Sequence, residues 1–261
     1  MSTTDQFLLA LKAYQEIQAE LRQEEGHGQV SIEKAIQDVP QEASPTLPPG
    51  SLLLGLADDG LPLIIDLYDP TPGPILVAGD GGSGKTAVLQ SMARASNYQD
   101  PGEIQFSVIT LFPEEWKALE DLPNSLGIWP AYHSAAQSFL SQMVYWAETL
   151  PETHQIVLLL IDGLDLLTYN DFHGQKELLW LLKYGPERHI WPVLSVNPGR
   201  MAHMLDWLDH FHTRILGHIK HAHNARLLLG NSNVNPAELI PGRQFGLCQF
   251  DSWFRFLLPP L

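Results

Sequence analysis

Cysteine and charge are both scarce in this chain. One cysteine, Cys248, in 261 residues excludes an internal disulfide and any metal site built from several thiolates. Charged residues make up 17% of the sequence, with 15 Lys and Arg against 30 Asp and Glu and a net charge of −15. A protein that grips nucleic acid over its whole surface is basic, so any such contact here is confined to a local face. No uninterrupted apolar run reaches 18 residues, so no membrane span is expected. The start, Met1-Ser2-Thr3-Thr4-Asp5, lacks the basic opening of a secretory signal, and a cytoplasmic location is the expectation.

The charge is also uneven. Residues 1–60 hold ten acids and three bases, whereas residues 200–261 hold four acids, six bases and six of the eleven histidines. Any nucleic-acid contact is therefore expected to be local, at a pore loop or a C-terminal face, although a solvated acidic protein without one fits the totals equally well.

Composition and periodicity divide the chain. Residues 5–25 predict a helix, with Phe7, Leu11, Tyr14 and Leu21 near one face, ended by Gly26-His27-Gly28. Ser31 caps a second short helix, with Lys34 at the capping-box position. Together these make a helical N-terminal segment over 1–39, too small for a core of its own. It is expected to pack on the main domain or on a neighbouring subunit. Pro40, Pro45, Pro48 and Pro49 mark 40–50 as a linker.

From 51 to 261 the pattern is α/β. Apolar runs at 52–56 and 63–67 flank Asp58-Asp59-Gly60, a hairpin signal. Strands are expected at 74–78, 104–111, 155–161, 191–196 and 214–219, and helices at 87–94, 134–150, 177–183 and 201–210. This alternation predicts a mostly parallel sheet covered on both faces.

Within that domain one segment carries chemistry: Gly79-Asp80-Gly81-Gly82-Ser83-Gly84-Lys85-Thr86. It fits the phosphate-binding loop, four free positions between a Gly and Gly-Lys-[Ser/Thr]. Gly79, Gly81, Gly82 and Gly84, with Ser83, bring backbone N–H groups close to a phosphate. Lys85 reaches the outer phosphates of ATP, and the Thr86 hydroxyl ligates Mg²⁺. Pro74 to Ala78 before the loop reads as a buried strand, and Ala87 to Arg94 after it as a helix whose positive end faces the anion. A second candidate group for the metal, one that would hold Mg²⁺ through water, follows 76 residues beyond Thr86. Ile156 to Ile161 is a buried strand ending in Asp162, at the edge where open α/β sheets bind ligands.

In this order the motifs resemble the FtsK/HerA group of P-loop ATPases, FtsK-type translocase motors above all, over most of residues 51–261. The hairpin Leu54-Gly55 to Asp66-Leu67, the loop itself, Val193-Leu194-Ser195-Val196-Asn197-Pro198, Thr213-Arg214-Ile215, Asn224 to Leu229 and Pro241-Gly242-Arg243 are similar to segments of those motors in the same sequence. The resemblance implies a RecA-like core, ATP hydrolysis with Mg²⁺, a homo-oligomeric ring, often of six subunits, and double-stranded DNA as the moved polymer. It implies Asn197 as a polar sensor, where Gln is usual, and an Arg reaching in from a neighbouring subunit, for which Arg200 and Arg214 are candidates, with a structural salt bridge as the alternative for each.

The chain also departs from the pattern. The Glu that orients water directly after the Asp is Gly163 here; Asp165, two residues on, is the available substitute. The Asp-Pro-Lys typical after the strand at 104–111 is absent, with Thr110 to Pro113 in its place. The stretch from Leu150 to Gln155 is short, and neither an FtsK-type membrane region nor a winged helix is expected. Two alternatives stay open: a nucleotide-binding module that hydrolyses poorly and controls assembly, and the ATPase of a secretion or conjugation machine.

Other signals are weaker. His210, His212, His218, His221 and His223 alternate in direction along a strand and so do not converge on a metal; surface or interface positions are expected. Glu114-Glu115 after Pro113 reads as a helix start, with a displaced catalytic acid as the alternative. The seven Trp residues are scattered and belong to the core or to subunit contacts.

Overall fold

The computed structural model describes residues 47–149, 154–165, 174–203, 205–230, 234–249 and 252–259. The expected N-terminal helices and most of the proline-rich linker lie outside these residues. What is described is an α/β fold on one ten-stranded sheet. The strands are β1 (Ser51–Ala57), β2 (Pro62–Asp66), β3 (Ile75–Ala78), β4 (Ile104–Thr110), β5 (Ser125–Pro130), β6 (Ile156–Asp162), β7 (Ile190–Val196), β8 (Thr213–Leu216), β9 (Gln244–Gln249) and β10 (Ser252–Leu257). The helices are α1 (Lys85–Ser96), α2 (Lys117–Glu120), α3 (Ser134–Thr149), α4 (Gln175–Tyr184) and α5 (Ala222–Leu229).

Spatial order is β2-β1-β10-β9-β8-β3-β7-β6-β4-β5. Strands β8, β3, β7, β6, β4 and β5 are parallel. The remaining four extend the sheet beyond β8 as antiparallel neighbours. The chain crosses over repeatedly in the parallel part, because parallel neighbours need a long connection and a helix supplies it.

Period-two alternation sorts the strand residues into two cores. Ile75, Val77, Phe106, Val108, Leu158, Leu160, Trp191 and Val193 pack beneath Val88, Leu89 and Met92 of α1 and Leu119 of α2. Leu76, Ala78, Ile109, Leu159, Ile161, Leu194 and Val196 pack against Phe139 and Leu140 of α3, Leu178 and Leu181 of α4, and Leu228 of α5. Coverage on both faces explains why β6 and β7 read as continuous apolar runs.

Three strands escaped the sequence reading, and one helix changes type. β5 is an edge strand with Gly127 and Pro130 in it, a composition that argues against a strand. β9 and β10 form a hairpin around Phe250-Asp251, which is not a turn pair with a strong signal. The helix expected over 201–210 is two 3₁₀ segments, Pro198–His203 and Leu205–His210. Bonds from Arg200 N–H to Asn197 O and from Phe211 N–H to Leu208 O close the tighter turns. Glu114 and Glu115 lie in the 3₁₀ turn Pro113–Trp116, as a helix start. Among the described residues no helix is long and apolar enough to cross a membrane.

Candidate functional site

The phosphate-loop candidate leaves β3 at the carboxyl edge of the parallel strands. Its ends are pinned to both neighbours of β3: Gly79 N–H donates to Val196 O at 3.3 Å, and Gly217 N–H to Ala78 O at 2.8 Å. Asp80 fastens it further, with its N–H on His218 O at 3.0 Å and its Oδ2 accepting Lys220 N–H at 2.8 Å. Gly84 caps α1 at φ 91°, a left-handed angle that favours glycine. A Cβ there would lie 2.8 Å from Gly242 Cα and 2.9 Å from Phe245 Cζ, so the turn before β9 backs the loop directly. The opposite side is open: Gly81 and Gly82 are exposed, and a Cβ on either meets nothing within 4 Å. A Gly-rich crest that opens to free space and leads into a helix start suits an anion.

Lys85 is folded back onto the loop. Its Nζ donates to Gly79 O at 2.8 Å and Asp80 O at 2.9 Å. Burial lowers the pKa of its ammonium from the ordinary value; the Asp165 carboxylate, then Asp162 and Asp80, push it up, and Arg200 pushes it down. Asp165, Asp162 and Arg200 therefore all lie within electrostatic reach of the lysine.

Parity brings the second half of the site to the same face. Asp162 shares the side of β6 occupied by Leu158 and Leu160, the side that α1 covers. Thr86 in the first turn of α1 donates its hydroxyl to Asp162 Oδ2 at 2.9 Å. Two hard oxygen groups, 76 positions apart in sequence, are thus in contact, and this donor set fits Mg²⁺. The other carboxylate oxygen, Oδ1, accepts from Ser195 Oγ at 2.7 Å. Ser195 Oγ in turn accepts Gly163 N–H at 2.8 Å.

Asp165 is buried, with one oxygen accepting Asn197 N–H at 3.0 Å and the other 3.7 Å from Arg200 Nη1. Asn197 enters the site through its main chain; its Oδ1 accepts Gly199 N–H at 3.0 Å and caps the turn that follows. Gly163 has φ 87°. Where a Glu would be expected, the backbone adopts an angle costing an L-residue roughly 1–2 kcal/mol.

The two arginines part company. Arg200 lies on its own subunit's Asp165. Arg214 donates to the carbonyls of Phe211, Leu208 and Leu228 in its own chain, so it clamps the segment before β8 to α5 and does not point to a neighbour. Of the histidines, His218 contacts Leu239 O through Nδ1 at 3.0 Å.

No family model matches the chain, and no curated protein matches it in sequence. Solved structures do match in fold. ATPases 2 and 3 of EssC from Geobacillus thermodenitrificans align with a TM-score of 0.68 at 13% identity, covering 81% of this chain and 45% of that one. ATPases 2 and 3 of Thermomonospora curvata EccC, in complex with a signal sequence peptide, give 0.68 at 14% identity, with 86% and 42% covered. The pCW3 conjugation coupling protein TcpA, in a monomer form with ATPγS, gives 0.60 at 15% identity, with 80% and 65% covered. The fold is the one that these chains share. The chain spans less than half the length of the EssC and EccC chains it matches.

Within this fold, strand β7 lies between β3 and β6. Ser195 occupies the position on β7 beside Asp162, one step on from the Ile161–Leu194 pairing. In sequence it is one polar residue inside an apolar strand. Parity within the strand puts it on one face with Val193 and Trp191; only the pairing of β7 with β6 makes that the face of Asp162.

Proposed function

We propose that the chain is a motor-type P-loop ATPase domain, related to the FtsK/HerA translocases, that binds and hydrolyses ATP with Mg²⁺. The contact between Thr86 Oγ1 and Asp162 Oδ2 beneath an open glycine-rich crest carries this reading. Mg²⁺, when bound, would neutralise charge on the phosphate oxygens. Thr86 and Asp162 are the residues that would hold it. Lys85, whose Nζ now donates to the carbonyls of Gly79 and Asp80, would turn to phosphate oxygens, and backbone N–H groups of the loop other than that of Ser83, which donates to Asp80 O, would hold the anion. Asp165, buried and restrained by Asn197 N–H, is the carboxylate available to orient the attacking water, with Asn197 fixing its position.

Assembly as a homo-oligomeric ring is part of the proposal. Phe112 and Tyr132, 48% and 72% exposed, follow β4 and β5 at the carboxyl edge that carries the site, and they are apolar surface that a neighbouring copy would cover. A cytoplasmic location agrees with the cytoplasmic domain of EccC among the matching folds.

Duplex DNA is the proposed polymer, and protein is the second reading, favoured by the fold shared with the type VII secretion ATPase EccC. A third, a module that binds ATP and turns it over poorly, is favoured by Gly163. Phosphate release measured with and without duplex DNA separates them. Stimulation by DNA that Lys85→Ala abolishes supports the DNA motor. Turnover indifferent to DNA overturns that reading in favour of a protein polymer, and tight ATP binding with no turnover leaves the module.

A further inference from the structure

We infer that Ser195 is a positioning residue for the divalent-metal site: it fixes the Asp162 carboxylate so that one oxygen is committed and the other faces Thr86. The inference rests on the metal-nucleotide reading above and deepens it, since neither the phosphate-loop pattern nor the strand-terminal Asp assigns a role to β7.

The direction of each proton can be deduced. Gly163 N–H can only donate, so at 2.8 Å Ser195 Oγ is its acceptor. Ser195 has a single hydroxyl proton, and the Asp162 Oδ1 atom 2.7 Å away is an acceptor. The hydroxyl therefore donates to the carboxylate. Ser195 is fully buried and Asp162 is 8% exposed, so water has little access to substitute for either bond. With Oδ1 held, rotation about the carboxylate axis is blocked and Oδ2 stays at Thr86 Oγ1, 2.9 Å away. Groups that orient metal ligands in this way contribute about 10- to 100-fold to metal affinity.

The placement follows from topology. Parallel pairing of β6 with β7 in the register Ile161–Leu194 puts the next residues, Asp162 and Ser195, side by side on the α1 face. The Gly163 N–H that orients the serine comes from the residue at φ 87° that stands where the family carries Glu. The position thus contributes its backbone to the carboxylate's support.

The test is binding of a fluorescent ATP analogue to the full chain, titrated with Mg²⁺ and repeated in EDTA. Ser195→Ala should raise the half-saturating Mg²⁺ concentration about 10- to 100-fold while leaving affinity in EDTA unchanged. Ser195→Thr, which keeps a hydroxyl on a strand, should retain most of the Mg²⁺ response, and melting without nucleotide checks that each variant folds. A wild-type Mg²⁺ response in Ser195→Ala, or equal loss of affinity with and without Mg²⁺, overturns the inference while the proposed function stands. A wild-type chain that takes no nucleotide in either condition overturns both.

Discussion

Gly84 offers a test in which stability and ligand binding separate. Placing Ala there forces φ 91° on an L-residue, which costs roughly 1–2 kcal/mol. The new methyl would sit 2.8 Å from Gly242 Cα and 2.9 Å from Phe245 Cζ. The first neighbour is backbone and the second belongs to a fully buried ring, so neither yields without displacing the loop or the turn before β9. Overpacking of this kind costs roughly 1–3 kcal/mol, for a total of about 2–5 kcal/mol. For a domain of this size each kcal/mol lowers Tm by about 2–4 °C, so Gly84→Ala should melt about 4–20 °C below wild type. Gly81→Ala is the paired control: its Cβ meets nothing within 4 Å. Its stability should stay within about 0.5 kcal/mol of wild type, yet its methyl occupies the open crest and should weaken nucleotide binding. Circular-dichroism melts and nucleotide titrations of both variants check this. If Gly84→Ala melts within about 2 °C of wild type, or if Gly81→Ala falls as far as Gly84→Ala, the contact argument is refuted.

Three further outcomes are expected. Gly163→Glu should lose about 1–2 kcal/mol to its left-handed backbone and gain no turnover, checked by melting and phosphate release; an active variant would show that the loop readjusts freely. Arg214→Ala should cost about 1.5–3 kcal/mol, on the scale of a charge-assisted hydrogen bond to buried carbonyls, whereas Arg200→Ala should fall within about 1 kcal/mol because its pair with Asp165 is exposed on the arginine side; urea midpoints distinguish them. Burial, followed by the charge of His154, lowers the pKa of His189 below its ordinary 6.5. As pH falls through 6.5 the unfolded chain takes up a proton that the folded chain refuses, so stability should drop on acidification below that value and recover above it. His189→Asn, suited to φ 59°, should flatten this part of the pH dependence in urea midpoints at pH 7.5 and 5.5.

The strand, glycine-rich loop and helix over 75–96, the strand ending in Asp162 and the hairpin before them were legible because each is local: a spacing, an apolar run, a turn pair. The two-faced sheet was legible from the same runs. Ser195 was not, because its meaning depends on β7 lying between β3 and β6, and strand order is a long-range property. For Arg214 a structural role and a role at a neighbour's site both stood open in sequence; only the folded chain shows three of its own carbonyls converging on the guanidinium. β5, β9 and β10 were hidden because pairing, not their composition, makes them strands. The 3₁₀ segments after β7 carry helical periodicity, but their closing bonds span three residues and periodicity does not reveal which bond closes a turn.

Because β7 intervenes, the strands bearing the loop and Asp162 stand two spacings apart, about 10 Å, and the start of α1 bridges that width to bring Thr86 onto Asp162. The sheet is locked by its hydrogen-bond ladder, whereas α1 rests on it through Val88, Leu89 and Met92, contacts that have no direction. The site is therefore a caliper. One jaw is the end of β6, its beam is β7, and the other jaw is the first turn of α1, backed by the turn at Gly242, which is bonded to Ser83 O at 3.1 Å.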